Sequence, residues 1–189
     1  MKTALLVIDM QNDFVEDGAL IEVKGIRNRI TQFKSFIDEC RKRGITIIYT
    51  KHIFDTVHNP VEAKLFPSLA IEGLREGTKG VEVHNELLPE KSDIMIKKRR
   101  YDAFFGTDLE VILKAKGIKN IIITGTMTNV CCESTARSAM FRDFNVLFSS
   151  DLTFTSDPVI HENTLKTIKS HFGEVMNSEE ILQSLQRPH

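Results

Sequence analysis

The sequence predicts an α/β fold in which three αβα layers are built around a doubly wound, mainly parallel sheet of about six strands. Short unbroken apolar runs, such as those at residues 3–8 and 120–124, are typical of strands buried on both faces of a parallel sheet. These runs alternate with segments of helical periodicity, which favours parallel strands joined by right-handed crossovers. No repeat, linker or low-complexity segment interrupts the chain, so we expect one domain over residues 1–189.

The first quarter of the chain supplies two predicted strands and a long helix. The strand at 3–8 runs into a polar loop, residues 9–14, that is rich in carboxylates and amides. Residues 26–43 carry an apolar stripe at helical spacing and are followed by Gly44, a residue type common just past a helix end. The second strand then covers residues 45–50.

Residues 51–93 form the least regular segment, with scattered His, Pro and Gly and only weak periodicity. A structureless stretch of this length is usually functional or contains short elements, so we expect it to line or cover a site. A third strand at 94–97 follows it. Thr107 is the predicted N-cap of a helix at 108–116 that ends at Gly117.

The second half of the chain continues the alternation and brings the sheet to six strands. The predicted elements are a strand at 120–124, a helix at 133–141, a strand at 145–149, a loop at 151–157, a helix from Pro158 to about residue 170, a strand at 174–176, and a helix at 179–186 capped by Ser178.

Composition excludes several classes of protein. A formal net charge of −1 argues against a nucleic-acid or membrane-surface binder, and no apolar run approaches the ~20 residues of a membrane span. The apolar start of the chain is too short for a signal peptide, because Asp9 follows at once. Three cysteines, two of them adjacent, do not make a disulfide framework. We therefore expect a cytoplasmic protein with reduced thiols.

Three predicted strands end at ionisable groups: Asp9 after the first, Lys98 after the third and Cys131 after the fourth. Taken singly, each has an ordinary structural explanation as a turn residue, a solvated lysine or a core thiol. Together they lie at the carboxyl ends of parallel strands, where open α/β sheets place their ligand sites. A carboxylate and a lysine can deprotonate a cysteine nucleophile and stabilise its anion. The nearby helix start also favours thiolate over thiol.

Three stretches, residues 5–14, 98–109 and 125–137, together resemble the isochorismatase-like cysteine hydrolases. The resemblance covers nearly the whole chain in the family's order. It implies the doubly wound fold of that family and its Asp-Lys-Cys triad, formed here by Asp9, Lys98 and Cys131. It also implies a cis peptide between Thr126 and Met127.

Further implications of the resemblance concern the nucleophile loop. The backbone N–H groups of Met127 and Cys131 would form an oxyanion hole, and Cys132 would point into packing. Apart from the resemblance, Asn129 is a candidate to brace the loop or to contact substrate. Phe14, Tyr101 and Phe104 are candidate pocket walls, and burial in the core is the alternative for these aromatic residues.

The implied activity is cofactor-free hydrolysis of a C–N bond in a small amide or an N-carbamoyl or ureido compound, through a thioester-type intermediate. The nucleophile stretch resembles N-carbamoylsarcosine and ureidoacrylate amidohydrolases more than nicotinamidases. Nicotinamidases carry a metal-binding Asp-x-His after the second strand, where this chain has His52-Ile53-Phe54. We expect no metal and predict that His52, His58 and His84 are solvated loop residues.

Two alternatives remain open. One is a catalytically silent doubly wound binding or interaction protein, and the other is a nicotinamidase-type amidase that lacks the usual metal site. The family resemblance further implies a homo-oligomer, a dimer or tetramer. Outside the triad, we expect His161 to be exposed on its helix and Arg137 to form an ion pair with Glu133 four residues earlier.

Overall fold

The structure is a computed structural model that describes residues 1–185. Six parallel strands form one sheet in the order β3-β2-β1-β4-β5-β6, which confirms the predicted fold class. The strands are β1 Lys2–Ile8, β2 Thr46–His52, β3 Ile94–Lys98, β4 Ile118–Thr126, β5 Asn145–Phe154 and β6 Glu174–Met176.

Helices cover both faces of the sheet. They are α1 Asn12–Val15, α2 Ile30–Lys42, α3 Pro60–Leu65, α4 Pro67–Glu72, α5 Leu109–Ala115, α6 Glu133–Met140, α7 Pro158–His171 and α8 Ser178–Ser184. Short 3₁₀ turns occupy Ile26–Arg29 and Asn85–Leu87, and a π-helical turn occupies Thr128–Cys132. None of the helices within residues 1–185 combines the length and the apolar character needed to cross a bilayer.

The central strand β1 explains the two-sided core. Its side chains alternate, so that Leu5 and Val7 join one hydrophobic cluster with α2 and α8, whereas Leu6 and Ile8 join a second cluster with α5, α6 and α7. All four side chains are fully buried. The strand order reverses at β1: β2 and β3 lie on one side of it, and β4, β5 and β6 lie on the other. Ligand sites of open sheets form outside the carboxyl ends of strands at such a reversal.

Several element boundaries differ from the predictions. Strand β5 continues to Phe154 and not to residue 149, because Thr153 and Phe154 pair with β4 beyond an irregularity in the register. The N-cap of α8 is Asn177, not Ser178, since Asn177 and Glu180 form a reciprocal capping box. The predicted end of that helix, Gln186, lies outside the described residues.

Residues 51–93 contain short elements that the pattern did not predict, namely α3, α4 and one 3₁₀ turn. This segment packs over the polar loop that follows β1. Leu74 N–H donates to the Asp13 carboxylate (2.7 Å), and Gln11 Nε2 donates to the Val81 carbonyl oxygen (2.9 Å). The segment therefore covers the carboxyl end of the central strand, as expected.

Candidate active site

Asp9, Lys98 and Cys131 meet at the carboxyl end of the sheet. Asp9 directly follows β1, Lys98 is the last residue of β3, and Cys131 lies in the π-helical turn after β4. Lys98 Nζ lies 2.7 Å from Asp9 Oδ2, and neither side chain is exposed to solvent. One Asp9 oxygen and the Cys131 sulfur lie within 4.8 Å of each other. The three residues predicted as a triad thus form one buried cluster.

Thr50 and the Arg100 carbonyl hold the ion pair in place. Thr50 Oγ1 accepts from the Asp9 backbone N–H (3.1 Å) and donates to Asp9 Oδ1 (2.5 Å). Lys98 Nζ donates to the Arg100 carbonyl oxygen (3.0 Å). The contact between Nζ and Asp9 Oδ2 is an ion pair by distance, and within residues 1–185 Oδ2 accepts no hydrogen bond of good geometry. The Asp9 carboxylate is therefore fixed by Thr50 on one oxygen and by Lys98 on the other.

The electrostatics favour a neutral resting thiol. Burial raises the pKa of Cys131 strongly, and the nearby Lys98 ammonium opposes that rise without cancelling it. Burial alone would lower the pKa of Lys98, but the Asp9 carboxylate and the Cys131 sulfur outweigh it, so the pKa of Lys98 is raised. The expectation that the helix start makes Cys131 a thiolate is therefore wrong for the resting enzyme, because the desolvation of a fully enclosed sulfur dominates.

Backbone hydrogen bonds fix the shape of the π-helical turn Thr128–Cys132, called here the nucleophile turn. The Thr126–Met127 peptide is cis. The Met127 carbonyl oxygen accepts from the N–H groups of Val130 and Cys132 (both 3.1 Å), which leaves the Cys131 N–H out of the bonds to that carbonyl. Cys132 is fully buried in the cluster below α6, in agreement with its expected packing role.

Two neighbours brace this turn. A Cβ at Gly125 would overlap the Ile8 carbonyl oxygen, so the close approach of β4 to β1 requires glycine there. His161 Nδ1 lies 3.0 Å from Thr128 Oγ1, and its Nε2 lies 3.0 Å from the Ser150 carbonyl oxygen. A carbonyl oxygen only accepts, so Nε2–H donates to it. The expected exposure of His161 is wrong: it is partly buried and links α7 to the nucleophile turn.

The four candidate substrate contacts fall in different environments. Phe14 and Phe104 are buried in the two opposite hydrophobic clusters, so both serve as core residues. Tyr101 is partly exposed and packs edge-on against His52, with ring centroids 5.9 Å apart. Asn129 lies two residues before Cys131, and its Oδ1 is buried without a partner within residues 1–185. Phe104 shares its cluster with Cys131, whereas Phe14 lies in the cluster on the opposite face of the sheet.

His52 is the main residue that the sequence reasoning misplaced. It is the last residue of β2, 2% exposed, and its backbone N–H and C=O are both bound by the Gln11 side chain (2.8 and 3.0 Å). Burial, reinforced by the Lys98 ammonium, lowers the pKa of His52 to about 3, so its ring is neutral. His84 is also buried, whereas the His58 side chain is 56% exposed, as expected.

One group of potential metal ligands occurs within residues 1–185, and it consists of Asp9, His52 and Cys131. Their ligand atoms lie within 4.8 Å of one another, but the set contains neither His58 nor His84. The Lys98 ammonium, 2.7 Å from Asp9, already supplies positive charge at this position and would repel a cation.

Sequence reasoning also missed the contributions of Thr50 and Glu62. Thr50 was read only as a strand residue, although its position beside the end of β1 was a usable signal. Glu62 is largely buried, hydrogen-bonds the Asn59 side chain, and with burial raises the pKa of Tyr101 to about 12, burial being the larger cause. The predicted ion pair between Arg137 and Glu133 is present at 2.6 Å.

A cleft of about 770 Å³ lies at the other end of the sheet. It is lined in part by Thr3 and Thr46, at the amino ends of β1 and β2, and by Arg43. In open α/β sheets the ligand sites lie at the carboxyl ends of the strands, so this cleft at the amino ends is not the candidate active site.

Comparisons with known proteins show the family to which the chain belongs. The model of the isochorismatase domain family matches residues 3–180. Ureidoacrylate amidohydrolase RutB of Acinetobacter baylyi is 30% identical over 210 aligned positions, covering 98% of this chain and 84% of the relative. A protein of Arabidopsis thaliana described as a probable inactive nicotinamidase is 34% identical, covering 89% of this chain and 88% of the relative.

The solved structures give the same result for the fold. A cysteine hydrolase from Pseudomonas syringae pv. phaseolicola superposes with a TM-score of 0.93 and 29% identity, covering 98% of this chain and 92% of that chain.

Proposed function

The chain belongs to the isochorismatase family, and from that membership we propose that it is a cysteine-dependent amidohydrolase. It would cleave a C–N bond of a small amide or of an N-carbamoyl or ureido compound through a thioester-type intermediate. The observation that carries the proposal is the fully enclosed Asp9–Lys98 ion pair (2.7 Å) next to the Cys131 thiol. The ureido hydrolase named among the relatives supports the substrate class.

The first half of the reaction forms an acyl-enzyme. Asp9 takes the Cys131 proton as the sulfur attacks the carbonyl carbon, the new S–C bond forms, and the carbonyl electron pair moves to oxygen. The negative charge leaves Asp9 for the reacting sulfur and substrate oxygen, with Lys98 beside both side chains. The C–N bond then breaks, its electron pair stays on nitrogen, and protonated Asp9 gives its proton to the leaving ammonia or amine.

The second half regenerates the enzyme. Asp9, again a carboxylate, removes a proton from water as the water oxygen attacks the thioester carbon. The C–S bond breaks, and the sulfur recovers a proton from Asp9. The product is a carboxylic or carbamic acid. No residue beyond the triad is needed for proton transfer.

We assign the oxyanion hole to the backbone N–H groups of Met127 and Cys131. The Met127 carbonyl is occupied by the amides of Val130 and Cys132, and this arrangement bypasses the Cys131 N–H. A preorganised donor at such a site is worth about 10²–10³ in rate.

The silent binding protein is the second candidate, and the relative described as inactive favours it. A nicotinamidase-type amidase without the usual metal site is a substrate variant of the main proposal. Turnover itself separates the enzyme from the silent protein. The proposed triad is assembled in full, which supports turnover.

Ammonia release tests the proposal. Wild-type protein is incubated with primary amides and N-carbamoyl amino acids, including nicotinamide and N-carbamoylglycine, beside Cys131→Ala and Cys132→Ala variants. We expect release by wild type and Cys132→Ala, and none by Cys131→Ala, because only Cys131 faces the ion pair. Rapid acid quench and intact-mass measurement should show an acyl adduct that Cys131→Ala lacks. Release by Cys131→Ala, or by no protein across the panel, would refute the proposal.

We also propose a cytoplasmic homo-oligomer, a dimer or tetramer. The three cysteines are free and buried, as suits a reducing compartment. Large apolar side chains are exposed in and around α3 and α4, a feature that often marks protein interfaces: Val57, Val61, Leu65, Phe66 and Ile71. Light scattering after size exclusion should give the mass of two or four chains. A monomer at micromolar concentration would contradict the assembly.

A further inference from the structure

Among the described residues, two side chains that carry unsatisfied polar atoms lie beside the Cys131 sulfur. Within residues 1–185, three buried side-chain atoms lack a hydrogen bond of good geometry: His52 Nε2, Asn129 Oδ1, and Asp9 Oδ2, which lies 2.7 Å from the Lys98 ammonium. Buried polar atoms are almost always paired, because an unpaired one loses its hydration without compensation. Two of the three belong to side chains that adjoin the Cys131 sulfur. The missing partner is therefore expected to arrive with a ligand at this centre.

The spacing of these side chains fits a single bound atom. One Asp9 oxygen, one His52 ring nitrogen and the Cys131 sulfur lie within 4.8 Å of one another. For three points this close, one position always exists within 4.8/√3, about 2.8 Å, of all three. That is hydrogen-bond distance for nitrogen and oxygen. Asp9 and His52 are thus close enough to each other, and to the Cys131 sulfur, to contact the same small polar group of a substrate.

His52 is built as a fixed, neutral hydrogen-bonding group. Gln11 holds its backbone on both sides, and Tyr101 packs edge-on against its ring. A neutral imidazole offers one donor and one acceptor nitrogen. Burial and the nearby Lys98 ammonium both disfavour protonation of the His52 ring, so one ring nitrogen stays available as a hydrogen-bond acceptor.

We propose that His52 is a substrate-binding residue that accepts a hydrogen bond from the leaving nitrogen, and that the enzyme therefore selects substrates ending in –NH₂. The inference rests on the proposed function and deepens it. Asp9 must lie next to the leaving nitrogen in order to protonate it. Of the two N–H groups of a terminal amide or ureido group, one is directed to Asp9 and the other to His52.

The same geometry disfavours N-substituted substrates. A methyl group on the leaving nitrogen removes one N–H. Because Asp9 must stay beside this nitrogen to protonate it, the methyl group takes the place of the N–H directed to His52, whose ring is then buried without a partner. A site built around a hydrogen bond strongly rejects an analogue that lacks it. The released product is then ammonia and not an alkylamine.

Matched substrates and matched variants test this assignment. The substrates are N-carbamoylglycine and its terminally N-methylated analogue, and product formation is followed as the release of ammonia or methylamine, the leaving groups of the proposed cleavage. The variants are His52→Leu, which keeps the approximate volume of the ring without polar atoms, and His52→Gln, which keeps an acceptor. His171→Gln is the control, since this side chain is exposed at the end of α7.

For wild type and His171→Gln, we expect kcat/KM to favour the unmethylated compound. His52→Leu should lower kcat/KM for that compound by about 10- to 100-fold, the effect of one lost buried hydrogen bond. It should change kcat/KM for the methylated compound by less than about 3-fold on the same argument. His52→Gln should restore most of the preference. A preference that is unchanged in His52→Leu would overturn the assignment.

Binding separates this inference from the proposed function. Calorimetry on Cys131→Ala measures the affinity for both compounds without turnover, with and without His52→Leu. If wild type releases no product but Cys131→Ala binds the unmethylated compound more tightly only when His52 is present, the His52 assignment holds while the proposed function fails. Equal affinities for both compounds, or no binding of either, would overturn the assignment.

Discussion

Replacement of His52 by glutamine should make folding less sensitive to acid. The folded protein holds the pKa of His52 at about 3, first because of burial and then because of Lys98, whereas an unfolded histidine has a pKa of about 6.5. A base whose folded pKa is depressed contributes stability above its unfolded pKa and loses it as pH falls toward the folded pKa. The relevant window is therefore pH 6.5 to about 3.

The size of the effect follows from linkage. Each pH unit inside this window costs about 1.4 kcal/mol, because the unfolded chain binds a proton that the folded chain rejects. Between pH 7 and pH 5 the wild type should lose about 2 kcal/mol of unfolding free energy through His52 alone. The glutamine variant has no such group and should lose about 2 kcal/mol less over the same interval.

Urea unfolding at pH 7 and pH 5, monitored by circular dichroism, measures both differences. His171→Gln serves as the control, because the same substitution at an exposed site should leave the acid sensitivity of the wild type in place. All other titrating groups are shared, so they cancel in the comparison. If His52→Gln loses as much unfolding free energy as wild type, to within ~0.5 kcal/mol, the assignment of a buried neutral imidazole is refuted.

Three further perturbations follow from the same structure. Gly125→Ala should cost more than about 4 kcal/mol of stability or prevent folding, because the new Cβ overlaps the Ile8 carbonyl oxygen. The control Gly117→Ala has room for a Cβ and should cost only about 1–2 kcal/mol, because its backbone is left-handed; thermal unfolding measures both variants. Lys98→Met should lower the free energy of unfolding by about 3–5 kcal/mol, because it leaves the Asp9 carboxylate buried without its cation. Adding Asp9→Asn should recover part of this loss in urea unfolding, and fully additive effects of the two substitutions would contradict the ion pair. Thr128→Val removes the hydrogen bond to the α7 imidazole and should cost about 1 kcal/mol while lowering kcat; unchanged kcat would mean that this link does not position the nucleophile turn.

Much of the fold was predictable because its signals are local. The strand at 3–8 is an unbroken apolar run, and only a strand buried on both faces explains it. The positions of Asp9, Lys98 and Cys131 after three such strands then follow from topology, since parallel strands end at the same edge. Local patterns thus predicted both the sheet and the residues that meet at its edge.

The misplaced features depend on contacts between distant segments. The predicted second strand stops at Thr50, so the pattern places His52 in a loop. In the structure β2 continues because it still pairs with β3, and His52 lies opposite Lys98. Its burial is completed by Gln11 and Tyr101, which are far away in sequence. No local pattern contains this information.

The protonation state of Cys131 also depends on contacts that local sequence patterns do not contain, and it bears on how Asp9, Lys98 and Cys131 act together. A helix start argues for thiolate, yet desolvation of an enclosed sulfur dominates, and the resting thiol stays neutral. A neutral thiol beside a buried ion pair is nevertheless suited to reaction. Moving one proton from Cys131 to Asp9 creates no new charge in a poorly solvating interior; it relocates a negative charge between two groups that both adjoin Lys98.

In the proposed mechanism, this relocation of negative charge gives Lys98 its role. In the resting state its ammonium balances Asp9, and after proton transfer it balances the thiolate, so the number of buried charges is constant through the step. If the resting Cys131 were a thiolate while Asp9 is also ionised, two buried negative charges would have to be balanced, and a second buried cation would be needed. The described residues offer one fully buried ammonium at this position, and sharing it between Asp9 and Cys131 requires that only one of the two be charged at a time.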